Sequence, residues 1–241
     1  MNDQIIKHQT PHIAKHVLGD CASSEVYLMD CIQLMKHYPD KYFDLAVVDV
    51  PYGIGADNNS NRGGKKNGKS FAKSVDYGKK DWDSEPPTLE YFTELFRVSK
   101  NQIIWGANHF ISRMPYDSSC WLVWDKDNGD NDYADCELAW TSFDKAVRKV
   151  KYKWHGMLQQ NMKDKEQRIH PTQKPIGLYD FVFGRFTEAG AKVLDTHLGS
   201  GSSRISANKN KLNFVGCEID EEYFKKSCKR YDDFVSQVRL F

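Results

Sequence analysis

A carboxylate, a rigid turn and an aromatic ring follow the apolar run 45–48. That run is short, partly β-branched and ended by an acid and a proline, which predicts a buried strand. Asp49, Val50, Pro51 and Tyr52 would then lie in the crevice beyond the strand's carboxyl end, where open α/β sheets bind ligands. The motif offers a carboxylate, a backbone carbonyl and an aromatic face to a flat base that carries an amino group. The alternative is a turn that only buries a tyrosine.

A second candidate site is a glycine turn between the predicted strands 192–195 and 213–218. Glycine lets bare backbone approach a ligand, but neither a third glycine nor a following Gly-Lys-Ser/Thr is present, so dinucleotide and phosphate loops do not match. Asp195, near the turn, suits an ammonium group, and Glu218, one strand over, suits a ribose diol. These preferences indicate S-adenosylmethionine as the cofactor. The proposed turn residues are Leu198, Gly199, Ser200 and Gly201.

Alternating strand and helix patterns would position both motifs. Strands are expected at 25–29, 45–48, 102–106, 121–125, 137–141, 192–195 and 213–218, and helices at 31–38, 88–98, 176–187, 203–210 and after 220. One helix follows Glu218, so residues 26–48 would supply the missing β-α unit and place Asp30 near the cofactor's adenine. The prediction is one domain with a circularly permuted Rossmann-like α/β fold, whose mostly parallel sheet carries helices on both faces.

Charge is segregated along the chain although its net value is only +1. Residues 58–80 hold seven Lys or Arg and one acid, and residues 145–168 hold eight and two. We interpret 54–80 as a mobile basic loop, with a plain linker as the alternative, and 143–169 as an irregular target-recognition insertion. Residues 1–25 would form a loosely held arm. The candidate phosphate contacts are Arg62, Lys65, Lys66, Lys69, Arg148, Lys151 and Lys153.

Composition excludes several classes of protein. No apolar run approaches the ~18 residues of a membrane span, and no signal segment opens the chain, so we expect a cytoplasmic protein with no membrane contact. The six cysteines contain no Cys-x-x-Cys pair, and neither a metal site nor a disulfide framework is predicted.

Four motifs, in this order, resemble those of the β-group DNA amino-methyltransferases: 49–52, 170–175, 195–201 and 216–220. The resemblance spans residues 26–232. It implies S-adenosylmethionine as methyl donor, double-stranded DNA with one base flipped, and transfer to adenine N6 or cytosine N4. It also places His170, Thr172 and Lys174 with the cofactor. At this length we expect either a short target site or help from a second subunit, as in a homodimer.

Two positions depart from that family's pattern. Val50 replaces a usual proline but keeps the backbone carbonyl, and His197 stands where phenylalanine is common. A leading Asp rather than Ser favours adenine by analogy, and cytosine N4 transfer stays open. A silent nucleic-acid-binding fold is a further alternative. A protein-glutamine methyltransferase has the reverse order of motifs.

Overall fold

The computed structural model describes residues 13–18, 22–55, 83–129, 134–155 and 158–238. Strands and helices alternate through most of this chain. The strands are β1 (Ile13–Leu18), β2 (Ala22–Leu28), β3 (Phe43–Val48), β4 (Ser99–Trp105), β5 (Leu122–Asp125), β6 (Cys136–Thr141), β7 (Arg148–Lys151), β8 (Trp154–His155), β9 (Leu158–Gln159), β10 (Lys192–Asp195) and β11 (Asn213–Glu218). The helices are α1 (Cys31–Lys36), α2 (Leu89–Val98), α3 (Ile176–Phe186), α4 (Ser202–Lys209) and α5 (Glu221–Val238).

Within the described residues, nine strands form one sheet in the order β1-β2-β11-β10-β3-β4-β6-β5-β7. The five strands β2, β11, β10, β3 and β4 run parallel, while β1 and β6 run antiparallel to their neighbours. The N-terminal β2 lies beside β11, and the amide of Met29 donates to the carbonyl of Glu218 at 3.1 Å. The predicted permuted, mostly parallel sheet is therefore confirmed.

Helices cover both faces of the sheet because the central strands are apolar on both sides. In β3, Leu45 and Val47 pack towards α3, whereas Ala46 and Val48 pack towards α1 and α2. All four side chains are buried. A strand buried on both faces reads as a continuous apolar run, and this accounts for the run that precedes Asp49.

Helix boundaries follow the sequence closely. Thr88 caps α2 as expected, its hydroxyl accepting from the amide of Tyr91 at 3.3 Å. Asp30 caps α1 by accepting from the amide of Gln33 at 2.9 Å, so the acid at the end of β2 also begins the next helix. None of the helices in the described part of the chain is both long and apolar enough to cross a membrane.

Two sequence predictions about irregular segments are wrong. Residues 13–18, predicted within a loose arm, form β1 and pair with β2, which gives the backbone groups at that edge of the sheet their partners. The segment 143–169, predicted as irregular, contributes β7 to the main sheet beside β5 and a small β8–β9 hairpin. Its lysines conceal the strand because they alternate outwards on an exposed edge.

Candidate active site

The turn after β3 is fixed by a carboxylate from a distant part of the chain. Asp83 is almost fully buried, and its Oδ1 accepts from the amides of Tyr52 at 2.6 Å and Gly53 at 3.0 Å. Charge-assisted bonds of this kind are strong and directional. Asp83 therefore holds the Pro51–Tyr52 turn in shape. No functional signal marks Asp83 in the sequence, since an isolated acid after a long polar segment has no distinctive spacing.

Lys174 lies against the carboxylate at the end of β3. Its Nζ is 2.5 Å from Oδ1 of Asp49, 3.0 Å from the Tyr52 hydroxyl and 3.0 Å from Oε2 of Glu137. The Tyr52 hydroxyl donates to the same Asp49 oxygen at 2.8 Å. Both donors thus bind Oδ1, and no described residue donates to Oδ2. The structure places Lys174, which the resemblance assigned to the cofactor, at the Asp49 motif.

Glu137 links this cluster to a second lysine. Its Oε1 is 2.6 Å from Nζ of Lys126, and its Oε2 is bound by Lys174. Burial disfavours the ionised form of Glu137, but the two ammonium groups outweigh it and lower the pKa to about 2. Burial likewise opposes the charge of Lys174, but Asp49 and Glu137 outweigh it and raise the lysine's pKa. Lys126 and Glu137 were not predicted as site residues, because Lys126 directly follows one predicted strand, Glu137 begins another, and neither belongs to a motif.

The Tyr52 ring is packed against the segment that follows β4. It stacks on His109 with ring centroids 5.2 Å apart and planes 17° apart. Gly106, with φ of +72°, lies so close that a Cβ there would overlap the ring. The glycine therefore makes room for Tyr52, which remains partly exposed to the cavity.

The glycine turn is held by the acid at the end of β11. Glu218 Oε2 accepts from the amide of Gly199 at 2.8 Å, and Oε1 accepts from the amides of Ile219 and Asp220 at 3.0 Å each. A carboxylate offers about four acceptor positions, so about one is left for a ligand hydroxyl. The His170 ring packs over this turn, 3.7 Å from where a Cβ of Gly199 would stand.

Asp195 is buried behind the turn and does not line the cavity. Its carboxylate accepts from the Ser203 hydroxyl at 2.5 Å and from the His197 amide at 3.0 Å. Burial, only partly offset by these bonds, raises its pKa to about 7. In this structure Asp195 orients the turn towards α4. The carboxylate predicted to meet an ammonium group is thus separated from the cavity.

Asp195→Asn should change how stability depends on pH. The folded-state pKa of about 7 exceeds the ordinary 3.8, so the folded chain binds the extra proton between about pH 4 and 7. Protonation of Asp195 contributes at most about 4 kcal/mol to the free energy of unfolding. This contribution is complete below pH 4 and is lost as the pH rises to 7. The free energy of unfolding of wild type minus that of Asp195→Asn, measured by urea unfolding, should therefore fall between about pH 4 and 7.

The His197 ring should make stability depend on pH in the opposite direction, and its replacement serves as a matched control. Burial lowers its pKa to about 4, so the unfolded chain binds its proton first and stability falls as the pH drops below about 6.5. His197→Phe should abolish the loss of stability that His197 causes at low pH and leave the pH-dependent contribution of Asp195 unchanged. A pH-independent difference between wild type and Asp195→Asn would contradict the prediction.

One cavity of about 1160 Å³ joins the two motifs. The predicted residues that line it are Asp30, Asp49, Val50, Pro51, Tyr52, His170, Thr172, Lys174, Leu198, Gly199, Ser200 and Glu218. Gly201 lies directly beyond, at φ of +71°, where it begins α4. Lys126, Glu137, Trp154 and Arg168 are among the further residues that line it. The fold therefore brings together residues from positions 30 to 218.

Residues 99–229, more than half of the chain, match the family described as DNA methylase, whose members act on N6 or N4 amino groups. The chain belongs to the N6/N4 DNA methylase family. It is 23% identical over 258 residues to the type II methyltransferase M2.MboI of Moraxella bovis, covering 92% of each protein. It is 32% identical over 85 residues to M2.DpnII of Streptococcus pneumoniae, covering 35% of this chain and 31% of that protein.

Solved structures share the fold of this methylase. The complex of M1.HpyAVI with S-adenosylmethionine has a TM-score of 0.52 at 20% identity, covering 85% of this chain and 97% of that one. The cytosine-N4-specific PvuII DNA methyltransferase has a TM-score of 0.55 at 11% identity, covering 91% and 93%. These likenesses confirm a methyltransferase fold and leave the target base open.

The segment 143–169 is tied to the glycine turn through Arg230. Arg230 on α5 donates to the carbonyl of Ser200 and the hydroxyl of Ser202, both at 2.9 Å, and pairs with Glu166 at 2.7 Å. Glu166 is in turn bound by Gln159 of β9. The β8–β9 hairpin and the turn thus share one hydrogen-bond network.

The basic residues predicted to contact DNA fall into two groups. Arg62, Lys65, Lys66 and Lys69 lie outside the described residues. In the second group, Lys151 and Lys153 stand at the carboxyl end of β7 and pair with Asp127 at 2.8 and 3.0 Å, while Arg148 begins the strand. Asp127 therefore already partners both of these lysines. Among the described residues, no group of three or more His, Cys, Asp or Glu side chains could hold a metal ion.

Proposed function

We propose that this DNA methylase transfers a methyl group from S-adenosylmethionine to N6 of an adenine that is flipped out of double-stranded DNA. The observation that carries the proposal is the single cavity in which the Asp49–Tyr52 motif and the glycine turn face each other. A flipped base and its methyl donor need such a shared space, because the reacting atoms must come within about 3.5 Å.

The residues present fit S-adenosylmethionine. The side-chain-free Gly199, the remaining acceptor position of Glu218 and the Asp30 carboxylate line one part of the cavity. The His170 ring packs over Gly199, and Thr172 lies beside that ring, its Oγ1 3.2 Å from Nδ1 of His170. These residues would hold the ribose and the adenine of the cofactor. When bound, the cofactor supplies an electrophilic methyl group.

The chain's own residues would prepare the amino nitrogen at the other end. Asp49 Oδ2 and the Val50 carbonyl accept from its two N–H groups, which localises the nitrogen lone pair that the ring otherwise delocalises. The Tyr52 face supports the base. Because these groups are already held by Lys174 and Asp83, little reorganisation is required during the reaction.

We propose adenine rather than cytosine as the target base because the motif begins with Asp49 and not with Ser, by analogy with the β-group. The cytosine-N4-specific PvuII enzyme shares the fold, so cytosine N4 transfer is the second candidate. The test is methyl transfer to mixed-sequence DNA, followed by digestion and mass spectrometry of the nucleosides. N6-methyladenine would support the proposal and N4-methylcytosine would replace the target base. Cofactor binding without any methylated nucleoside would favour the silent fold.

Phosphate contacts should make DNA binding depend on Lys151. Lys151→Gln is expected to weaken binding of all DNA sequences alike and to reduce the slope of log affinity against log salt by about 0.9. The matched control is Lys229→Gln, which removes an acid-paired lysine from α5 that is also mostly exposed. Fluorescence anisotropy from low to moderate salt measures both. Equal slopes for wild type and Lys151→Gln would exclude Lys151 from the DNA interface.

A further inference from the structure

Four charged side chains form one line of ion pairs along the cavity wall. Lys126 binds Glu137 at 2.6 Å, Glu137 binds Lys174 at 3.0 Å, and Lys174 binds Asp49 at 2.5 Å. The charges alternate along this line and sum to zero. The proposed function uses Asp49 as an acceptor and Lys174 as its support, but it assigns no task to Glu137 or Lys126.

The position of Lys174 creates an electrostatic problem for the proposed reaction. Its side chain is only 3% exposed, so solvent screens the ammonium weakly. The methyl donor carries a positive sulfonium, and its methyl group must reach a nitrogen that is hydrogen-bonded to Asp49. The path from the ammonium to the sulfonium consists of the Lys174–Asp49 bond, one hydrogen bond from Asp49 to the target nitrogen and one attack distance, which places the two positive charges within roughly 10 Å of each other. Asp49 alone cannot serve as counter-charge for both.

We propose that Glu137 is a positioning residue whose carboxylate neutralises Lys174 and thereby lets the cavity accept a cationic methyl donor beside Asp49. Lys126 in turn neutralises part of the charge of Glu137, so that the net charge of the four side chains is zero. The inference rests on the proposed function, because it concerns the cofactor of that reaction.

Comparing S-adenosylmethionine with S-adenosylhomocysteine isolates this charge effect. The two molecules differ by the methyl group and its positive charge, since the second has a neutral thioether. Glu137→Gln keeps the side-chain size and one acceptor oxygen but leaves the line at +1. Its affinity for S-adenosylmethionine should fall fivefold to tenfold, an order-of-magnitude Coulomb expectation. Its affinity for S-adenosylhomocysteine should stay within about twofold of wild type.

Two further variants separate charge from contact. Lys126→Gln leaves the line at −1 and should shift the ratio of the two affinities in the opposite direction. Lys126→Gln/Glu137→Gln returns the line to zero and should restore the wild-type ratio, although it removes more contacts than either single variant. A purely structural role of Glu137 would weaken both ligands alike and make the double variant the weakest binder.

Isothermal titration calorimetry on the full chain measures all four proteins without requiring turnover. If wild type binds both ligands and the ratio stays constant across the variants, the inference about Glu137 is overturned and the proposed function stands. If wild type binds neither ligand, the proposed function itself fails. Where Glu137→Gln does not fold, the opposite shift in Lys126→Gln supports the inference, and an unchanged ratio in Lys126→Gln overturns it.

Discussion

Asp49→Asn is expected to lower kcat for methyl transfer by at least about a hundredfold while leaving the affinity for the uncharged S-adenosylhomocysteine nearly unchanged. Lys174 and Tyr52 both donate to Oδ1 of Asp49. The amide oxygen of asparagine must therefore take the Oδ1 position, which puts its NH2 group where Oδ2 stood. A donor would then face the N–H groups of the target, and the lone pair of the amino nitrogen would no longer be localised.

Single-turnover methyl transfer and calorimetry of S-adenosylhomocysteine binding measure the two halves of this expectation. Asp44→Asn is the matched control, since Asp44 lies on β3, the strand that Asp49 follows, and pairs with Lys100 at the surface. That variant should keep wild-type turnover. Near-normal turnover of Asp49→Asn would remove Asp49 from the reaction, and a parallel loss of S-adenosylhomocysteine binding would show that the substitution disturbs the cavity.

Gly106→Ala should also reduce turnover strongly, on the order of a hundredfold. The added methyl group would overlap the Tyr52 ring, which is itself fixed between His109 and the Asp49 carboxylate. Relief requires the ring to move by an ångström or more, and displacements of that size misalign a bound base. The ring shift should also lower the free energy of unfolding, by about 1 to 3 kcal/mol.

Gly190→Ala separates the overlap from backbone strain. Gly190 has φ of +84°, comparable with the +72° of Gly106, but nothing lies within 4 Å of a Cβ there. Both variants should show the strain of an alanine in the left-handed region, about 1 to 2 kcal/mol. Only Gly106→Ala should lose activity in the methyl-transfer assay. Equal activities would show that Tyr52 tolerates displacement.

Much of the fold was predictable from local chemistry. The continuous apolar run 45–48 indicated a strand buried on both faces, and the Gly-Ser-Gly turn between strand and helix patterns indicated a ligand-binding edge. The order of the motifs then required residues 26–48 to join the β11 side of the sheet. Each of these inferences rests on neighbouring residues, whose types and periods are set by whether a strand or helix is buried.

Charge partners could not be predicted in the same way. Lys174 reaches Asp49 across 125 positions, and Asp83 and Glu137 serve the same motif from separate segments. The sequence predicts that the basic residues of 148–153 contact phosphates. In the structure β7 pairs with β5, and this pairing places the lysines beside Asp125 and Asp127. Period and composition carry no information about such register.

The sequence alone thus determined which residue types could carry the chemistry and at which strand ends they stand. Tertiary structure decided which of them face one another: Lys174 and Glu137 flank Asp49, while Asp195 turns away and is buried behind the glycine turn. The physical reason is that strand formation follows from local burial patterns, whereas an ion pair depends on how distant strands lie side by side. Burial then makes each such pairing decisive, because a charge removed from water must find its partner.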